Sequence, residues 1–441
     1  MSDLPQGWAE ARLEDLAEEV TGSIAPDPTA QYELYSVPAF PVGIPEYVEG
    51  TVIGSHKRPV SPDDVLLCKI NPRINRVWYV GPFMERRQLA STEFVPLRLP
   101  RGNGTTARYL MWYLRSPKFR DWIKLNAEGA TGSHTRAKSP AILRQSIPIA
   151  PFGEQDRIVA SIEEQFSKLD AGVAALERVQ LNLERMRAAV HLRFDKAASV
   201  GISPQPLATH AQFIIDGDHN PPKRFAEGIP YLTAKHVKNG LVTTENATFV
   251  SANDFETLRR RYDPHPGDVL VTCVGTLGEV AVVPDGLTFA ADRNIAAIRP
   301  NPGVNSAFIA SLLRSPRQQR ALVAGSGSTA QPHLYLKDLR ALPVAVPDAA
   351  RQAALLDELE TDLEFMSRAE KVANTSLAHS GVLRSAILAS AFSGKLLPQD
   401  PSDEPASVLL KRIAADRASS NGHKATDPAN PKPRAERCTH E

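Results

Sequence analysis

Cysteine is scarce in this 441-residue chain, occurring only at Cys68, Cys273 and Cys438. The three stand far apart, without the CxxC spacing that a zinc site needs. Cys68 and Cys273 each lie in an apolar, strand-like run, which reads them as buried core thiols. No apolar run approaches the roughly eighteen residues of a membrane span. The opening MSDLPQGWAEARLEDL has no charged-then-apolar signal, so a soluble cytoplasmic protein is expected. Catalytic signatures are missing too. No lysine follows Asp or Glu by two positions, which removes the (Asp/Glu)-x-Lys half of a common nuclease site. No GxxxxGK(S/T) phosphate loop exists, because Leu396 follows the Gly394–Lys395 pair where a metal-binding hydroxyl would stand. HExxH, GxSxG and a deaminase-like His/Cys set are absent as well.

What is present is repetition. LRSP occurs at Leu114–Pro117 and again at Leu313–Pro316, and its neighbours recur in the same order. YSV from Tyr35 answers YLT from Tyr231, SPDDVLLCKI from Ser61 answers HPGDVLVTCV from His265, and STEFVPLRLP from Ser91 answers DRNIAAIRP from Asp292. After LRSP come EGATGSHTRAKS and AGSGSTAQPHLYL, then IPIAP and LPVAVP. Whole patterns repeated in order, at an offset that stays near two hundred residues, mark a duplicated architecture. Each copy mixes short strand runs with a late helical pattern, the mark of a mixed α and β globule.

Each copy ends in a long apolar-periodic segment. In the first, Ile158, Ile162, Phe166, Leu169, Val173, Leu176, Val179, Leu183, Met186 and Val190 recur three or four apart. That spacing makes one stripe along a helix of about forty residues, roughly 60 Å. In the second, Leu356, Leu359, Leu363, Met366, Leu377 and Ile387 keep similar spacing with a weaker middle. So long a stripe must be buried, and two such helices in one chain are expected to pair as a coiled coil. Internal pseudo-twofold symmetry makes that pair antiparallel. The expected fold is α+β: two similar mixed α/β domains separated by a long two-helix antiparallel coiled coil.

The net charge of +1 hides an asymmetry: Lys57 to Leu143 holds sixteen basic and six acidic residues, a balance of +10. Such a run is either a solvated face or an electropositive surface facing phosphates, whose neutralisation releases counterions. Arg259, Arg260 and Arg261 carry the same two readings. HNPPKRF, His219 to Phe225, resembles the Asn-Pro-Pro-aromatic motif of adenine N6-methyltransferases. Lys223 stands in the aromatic position, however, and no glycine-rich S-adenosylmethionine loop precedes it, so a Pro-fixed turn is expected instead.

The segments PFGEQDRIV, DGDHNPPK, GIPYLTAKHV, GDVLVTCVGTLGEVAVV, GSGSTAQPHLYLKDLRALPVAVP and AFSGKLLPQDPSDEPASVLLKRI together resemble the specificity (S, HsdS) subunits of type I restriction-modification enzymes. The resemblance covers residues 1 to about 413, with one departure. The second helix opens DAARQAALL where the family has an acidic-Gln-basic opening. The resemblance implies target recognition domains at 1–151 and 201–347, long helices at 152–200 and 348–394, and a closing segment at 395–413. Residues 414–441, polar and aperiodic, are expected to be disordered.

It further implies a chain with no catalytic site, each domain reading half of a split double-stranded DNA target. The helices would set the gap and dock two methyltransferase (M) subunits, which carry S-adenosylmethionine. Restriction (R) subunits, using ATP and Mg, would join them, and no cofactor or metal would sit on this chain. Donor-rich loops next to small residues are the expected readers. In the first domain these are Lys69, Asn71, Arg73, Asn75 and Arg76, with Ser133, His134, Thr135, Arg136 and Lys138. In the second they are His219, Lys223, Arg224, Lys235, His236, Thr276, Ser326, Ser328, Thr329, Gln331 and His333. The alternatives are a stand-alone adenine methyltransferase and a coiled-coil scaffold without DNA contact.

Overall fold

The computed structural model describes residues 4–83, 86–100, 102–129, 135–220, 222–324 and 333–424. They form two compact units, one of Met1–Val173 with Leu377–Glu441 and the other of Ala174–Ser376. The first long helix, Phe152–Ser199, and the second, Ala349–Ala391, each contribute to both units.

The first unit contains two four-stranded sheets. One runs Glu18–Glu19, Phe94–Arg98, Val65–Cys68, Val77–Tyr79, all antiparallel. The other runs Glu46–Glu49, Gln31–Tyr35, Arg87–Ala90, Arg58–Pro59, with its central pair parallel. The second unit repeats this order. Its four-stranded sheet is Ala211–Asp216, Ile295–Pro300, Val269–Thr272, Val280–Val282. Beside it lies a three-stranded sheet whose pair Ile229–Leu232 and Ala290–Ala291 is again parallel. The runs that repeat in sequence, VLLC with VLVT and FVPLR with IAAIRP, therefore occupy matching strands. Val65, Leu66, Leu67 and Cys68 are all buried, as are Val269, Leu270, Val271 and Cys273.

The recurring tetrapeptide is a bracket. Leu114 ends helix Gly104–Leu114, and Ser116 accepts the Phe119 N–H to cap helix Pro117–Leu125, whose first residue is the tolerated proline. Between them, Arg115 folds back and donates twice to the Val77 carbonyl, at 3.2 and 2.5 Å. In the second unit Arg314 does the same to Val280, at 3.3 and 3.0 Å, and Ser315 accepts the Gln318 N–H. Each unit also carries one bidentate ion pair on a buried carboxylate: Arg98 on Asp64, and Arg299 on Asp268.

Within the second unit the long helices run antiparallel. Gln180 donates to Asn374 at 2.6 Å, Arg187 pairs with Glu370 at 3.0 Å, Arg193 pairs with Asp362, and Arg351 donates to the Ala197 and Val200 carbonyls. Leu359 and Met366 are buried, yet Val179 and Met186 are 42% and 47% exposed. The single stripe expected over the first helix is thus interrupted. Steps of three and four drift around a 3.6-residue turn, and the polar Gln180–Asn374 contact holds the pair where Val179 and Met186 turn outward. In the first unit Arg384 pairs with Asp170, and Ile158, Ile162, Phe166 and Leu388 share one core.

Two further expectations change. Residues 414–424, expected to be disordered, continue helix Ala406–Lys424. Leu409 and Ile413 anchor that helix in the first unit's core, and Arg417 donates to the Glu14 carbonyl; residues 425–441 lie outside the described residues. The departure at DAARQAALL is also smaller than it reads. Gln352 takes the place of Gln155, each buried and donating its amide five residues back, to Pro347 and Ala150 respectively. Only the flanks differ: Glu154 accepts from Trp8 and Arg157 pairs with Asp403, whereas Arg351 covers the carbonyl end of the first long helix.

Candidate nucleic-acid interface

In the first unit the hairpin joining Val65–Cys68 to Val77–Tyr79 carries the loop KINPRINR, Lys69 to Arg76. Residues more than sixty positions away in sequence close on it: Asn71 N–H donates to the Thr135 carbonyl at 2.8 Å, and Ala137 N–H to the Lys69 carbonyl at 2.9 Å. Thus two separately expected sets come together at one place. Its basic side chains differ in freedom. Arg136 pairs with Glu93 at 3.1 Å and Lys138 with Glu128 at 2.8 Å, whereas Arg73 is exposed and makes no ion pair among the described residues. Lys69, Asn71 and Arg76 are half-buried around it.

The second unit arranges the same hairpin. Leu334 N–H donates to the Cys273 carbonyl, and Val274 bridges His333, whose ring meets Tyr335 edge-on at 4.7 Å. Thr276 is exposed at the hairpin tip. His219 is exposed, with Nε2 2.9 Å from Asp216, which Arg261 also binds. Burial opposes ionisation of Asp216, but the hydrogen bonds from Arg261 and His219 outweigh it and hold the carboxyl below its ordinary range. Lys223 lies 5.4 Å from the Phe225 ring centroid, and Lys235 is exposed with a 3.4 Å contact to the Asn246 carbonyl.

Some expected readers are structural. Asn75 is buried and donates to the Leu114 carbonyl at 2.9 Å. Thr135 is buried against the hairpin. His236 is 1% exposed: its Nδ1 accepts the Thr233 N–H at 2.9 Å, and burial lowers its pKa, keeping the ring neutral. Arg224 is half-buried with its guanidinium 3.4 Å from the Tyr231 ring centroid. Polar residues look alike in sequence whether they face solvent or satisfy a buried carbonyl. Ser133, His134, Ser326, Ser328, Thr329 and Gln331 lie outside the described residues.

The +10 stretch is likewise partly consumed inside the unit. Arg58 pairs with Glu19, Arg98 with Asp64, Arg108 with Glu163 and Lys124 with Asp121. The sequence does not single out the partners Glu93, Glu128 and Asp216, whose only signal is a carboxylate in a basic neighbourhood. Arg261, expected as either a solvated face or a phosphate-facing one, is no plain solvated face, since it also donates to the Asp216 and Gly217 carbonyls. The two hairpin cysteines are inert. Burial raises the Cys68 thiol and pushes Cys273 up to about 12.

Comparison with known proteins gives a consistent picture. Residues 217–371 match the family model described as the type I restriction modification DNA specificity domain. The EcoBI specificity subunit of Escherichia coli is 26% identical over 349 residues, covering 71% of this chain and 73% of that protein. The EcoKI specificity subunit of E. coli strain K12 is 25% identical over 348 residues, covering 72% and 73%. In fold, a solved chain from work on complex assembly and conformational transition of the type I R-M system superposes with a TM-score of 0.70 at 21% identity, covering 89% of this chain and 99% of that one. The HsdS subunit from Thermoanaerobacter tengcongensis gives 0.55 at 20% identity, covering 89% and 98%. With the repeat and the matched sheets, these findings show that residues 217–371 match a type I DNA specificity domain and that the chain is similar, over most of its length, to the specificity subunits of type I restriction-modification systems.

Proposed function

We propose that residues 1–151 and 201–347 each read one half of a split, asymmetric DNA target. The long helices, 152–200 and 348–394, fix the unspecified gap and dock two methyltransferase subunits, with 395–413 closing the second helix. In this reading the chain is non-catalytic and cytoplasmic. S-adenosylmethionine belongs to the methyltransferase subunits, and ATP and Mg to restriction subunits that join them. The chain directs adenine N6-methylation to its target and restriction to unmodified DNA. The DNA contacts come from Lys69, Asn71, Arg73, Arg76, Arg136, Lys138, His219, Lys223, Lys235, Thr276 and His333, with Ser133, His134, Ser326, Ser328, Thr329 and Gln331.

The observation that carries this reading is one hairpin-and-bracket frame built twice in a single chain, each copy presenting a different set of donors. A duplicated frame with unlike loops suits two half-sites of unlike sequence. The test is duplex binding by the chain with its methyltransferase subunits across a salt titration. Log affinity should fall linearly with log salt, by about 0.9 per phosphate neutralised, so that six to ten contacts lose roughly 10³- to 10⁵-fold between 50 and 200 mM. A flat response would favour the scaffold.

A further inference from the structure

Non-glycine residues at positive φ are uncommon, and two of them flank the first hairpin tip. Asn71 has φ 45° and Asn75 φ 48°. Asparagine tolerates this region better than other side chains, but two such residues four apart need outside support. Each has it. Asn71 donates its N–H to the Thr135 carbonyl. Asn75 donates its N–H to the Pro72 carbonyl at 3.0 Å and its side-chain amide to the Leu114 carbonyl at 2.9 Å, at the start of the LRSP bracket. Pro72 is buried and cannot rotate about φ. What this frame lifts clear is a pair: Arg73, exposed, and Ile74, 50% exposed.

The second unit solves the same problem with other residues. Gly275 at φ 81° and Gly278 at φ 83° take the left-handed positions. Gln319 donates its amide to the Leu313 carbonyl at 2.7 Å and to the Gly278 carbonyl at 2.8 Å. So the leucine carbonyl opening each LRSP is tied to the tip, by Asn75 in one unit and Gln319 in the other. Between the glycines stand Thr276 and Leu277. The frame is therefore the same and the tip differs, Arg-Ile against Thr-Leu. A structural turn has no need of an exposed isoleucine, whereas a reading element needs a fixed support and a variable end.

We infer that Arg73 and Ile74 are the base-reading tip of the first domain, Arg73 donating two N–H groups to the O6 and N7 of one guanine and Ile74 pressing on the thymine methyl of an adjoining pair. This rests on the DNA-reading function proposed above. The fixed support spares the backbone's ordering cost on binding and leaves only that of the side chain. Arg136 and Lys138, bound to carboxylates in the free chain, must first give up those partners and so suit general phosphate contact.

The experiment is a base-pair scan. The full chain, assembled with its methyltransferase subunits, is competed between its methylated target sequence and duplexes substituted one pair at a time. The wild type should lose roughly 10- to 100-fold at one G·C pair of one half-site. Arg73→Ala should erase discrimination at that pair while leaving the other half-site's untouched, which also serves as the folding control. Arg73→Gln should shift the preference there towards adenine, and Ile74→Ala should weaken discrimination at the adjoining pair. An Arg73→Ala variant that weakens every duplex by one common factor, or changes nothing, overturns the inference. A wild type without any base preference overturns the functional reading beneath it.

Discussion

Inserting one heptad into each long helix, after Leu183 and after Lys371, is expected to cut methylation of the parent target by roughly 10³-fold or more, the usual margin between specific and non-specific binding. The same protein should gain methylation at a target whose gap is about three base pairs longer, because seven helical residues rise ~10 Å against 3.4 Å per base pair. The positions are chosen from the pairing: both fall between the Gln180–Asn374 and Arg187–Glu370 contacts, so the insertions stay opposite one another. A heptad is needed because it returns the apolar seam to the same face. Both half-site sequences should persist unchanged, since neither hairpin is touched. An insertion in one helix alone should shift the seam against its partner and lose the complex. A longer helix pair with an unaltered gap would show that these helices do not measure the target.

Phe392→Ala is expected to destabilise the first unit by about 3 kcal/mol, at the lower end for an aromatic deletion that leaves a cavity. Phe392 is 6% exposed and meets Tyr109 and Tyr113 edge-on, at 5.1 and 5.2 Å between ring centroids. The residue follows the second long helix, so its loss should loosen the seat of the closing segment, where Leu409 and Ile413 share the same core. Fluorescence can isolate this event, because all four tryptophans, Trp8, Trp78, Trp112 and Trp122, belong to this unit. With a urea slope of about 3 kcal/mol per M for a unit this large, the tryptophan-reported midpoint should fall by about 1 M. Phe365→Ala, the same deletion at a site 65% exposed, should leave it in place. A midpoint for Phe392→Ala within about 0.2 M of wild type, worth only about 0.6 kcal/mol at that slope, would mean that the ring is not part of the core.

The duplicated architecture is legible in the sequence because burial leaves a periodic trace. VLLC and VLVT read as strands since nearly every residue is apolar, and the long helices read as helices since their stripe steps by three and four. LRSP survives twice because its residues serve in turn as helix end, strand clasp, cap and first-turn proline. Less legible is which donors face outward. Asn75 and His236 have the chemistry of DNA readers, yet each satisfies backbone groups in the interior, and only tertiary contacts reveal it. Arg136 and Lys138 do lie beside Lys69, but their tethering to Glu93 and Glu128 pairs residues that sequence alone does not connect. Ile74 escapes notice because an isoleucine between polar residues reads as core until its backbone neighbours are seen at positive φ. Gln352 is masked by unlike flanks, although its buried amide repeats the role of Gln155.

The central claim is that one chain carries two unlike readers for a single gapped site. Genome-wide adenine methylation, mapped by single-molecule sequencing in cells with and without this gene, tests it most directly. The account predicts that the gene adds one motif made of two different short sequences with a fixed unspecified gap, methylated once in each half. An uninterrupted motif, two halves of identical sequence, or a methylation map indifferent to the gene would contradict it.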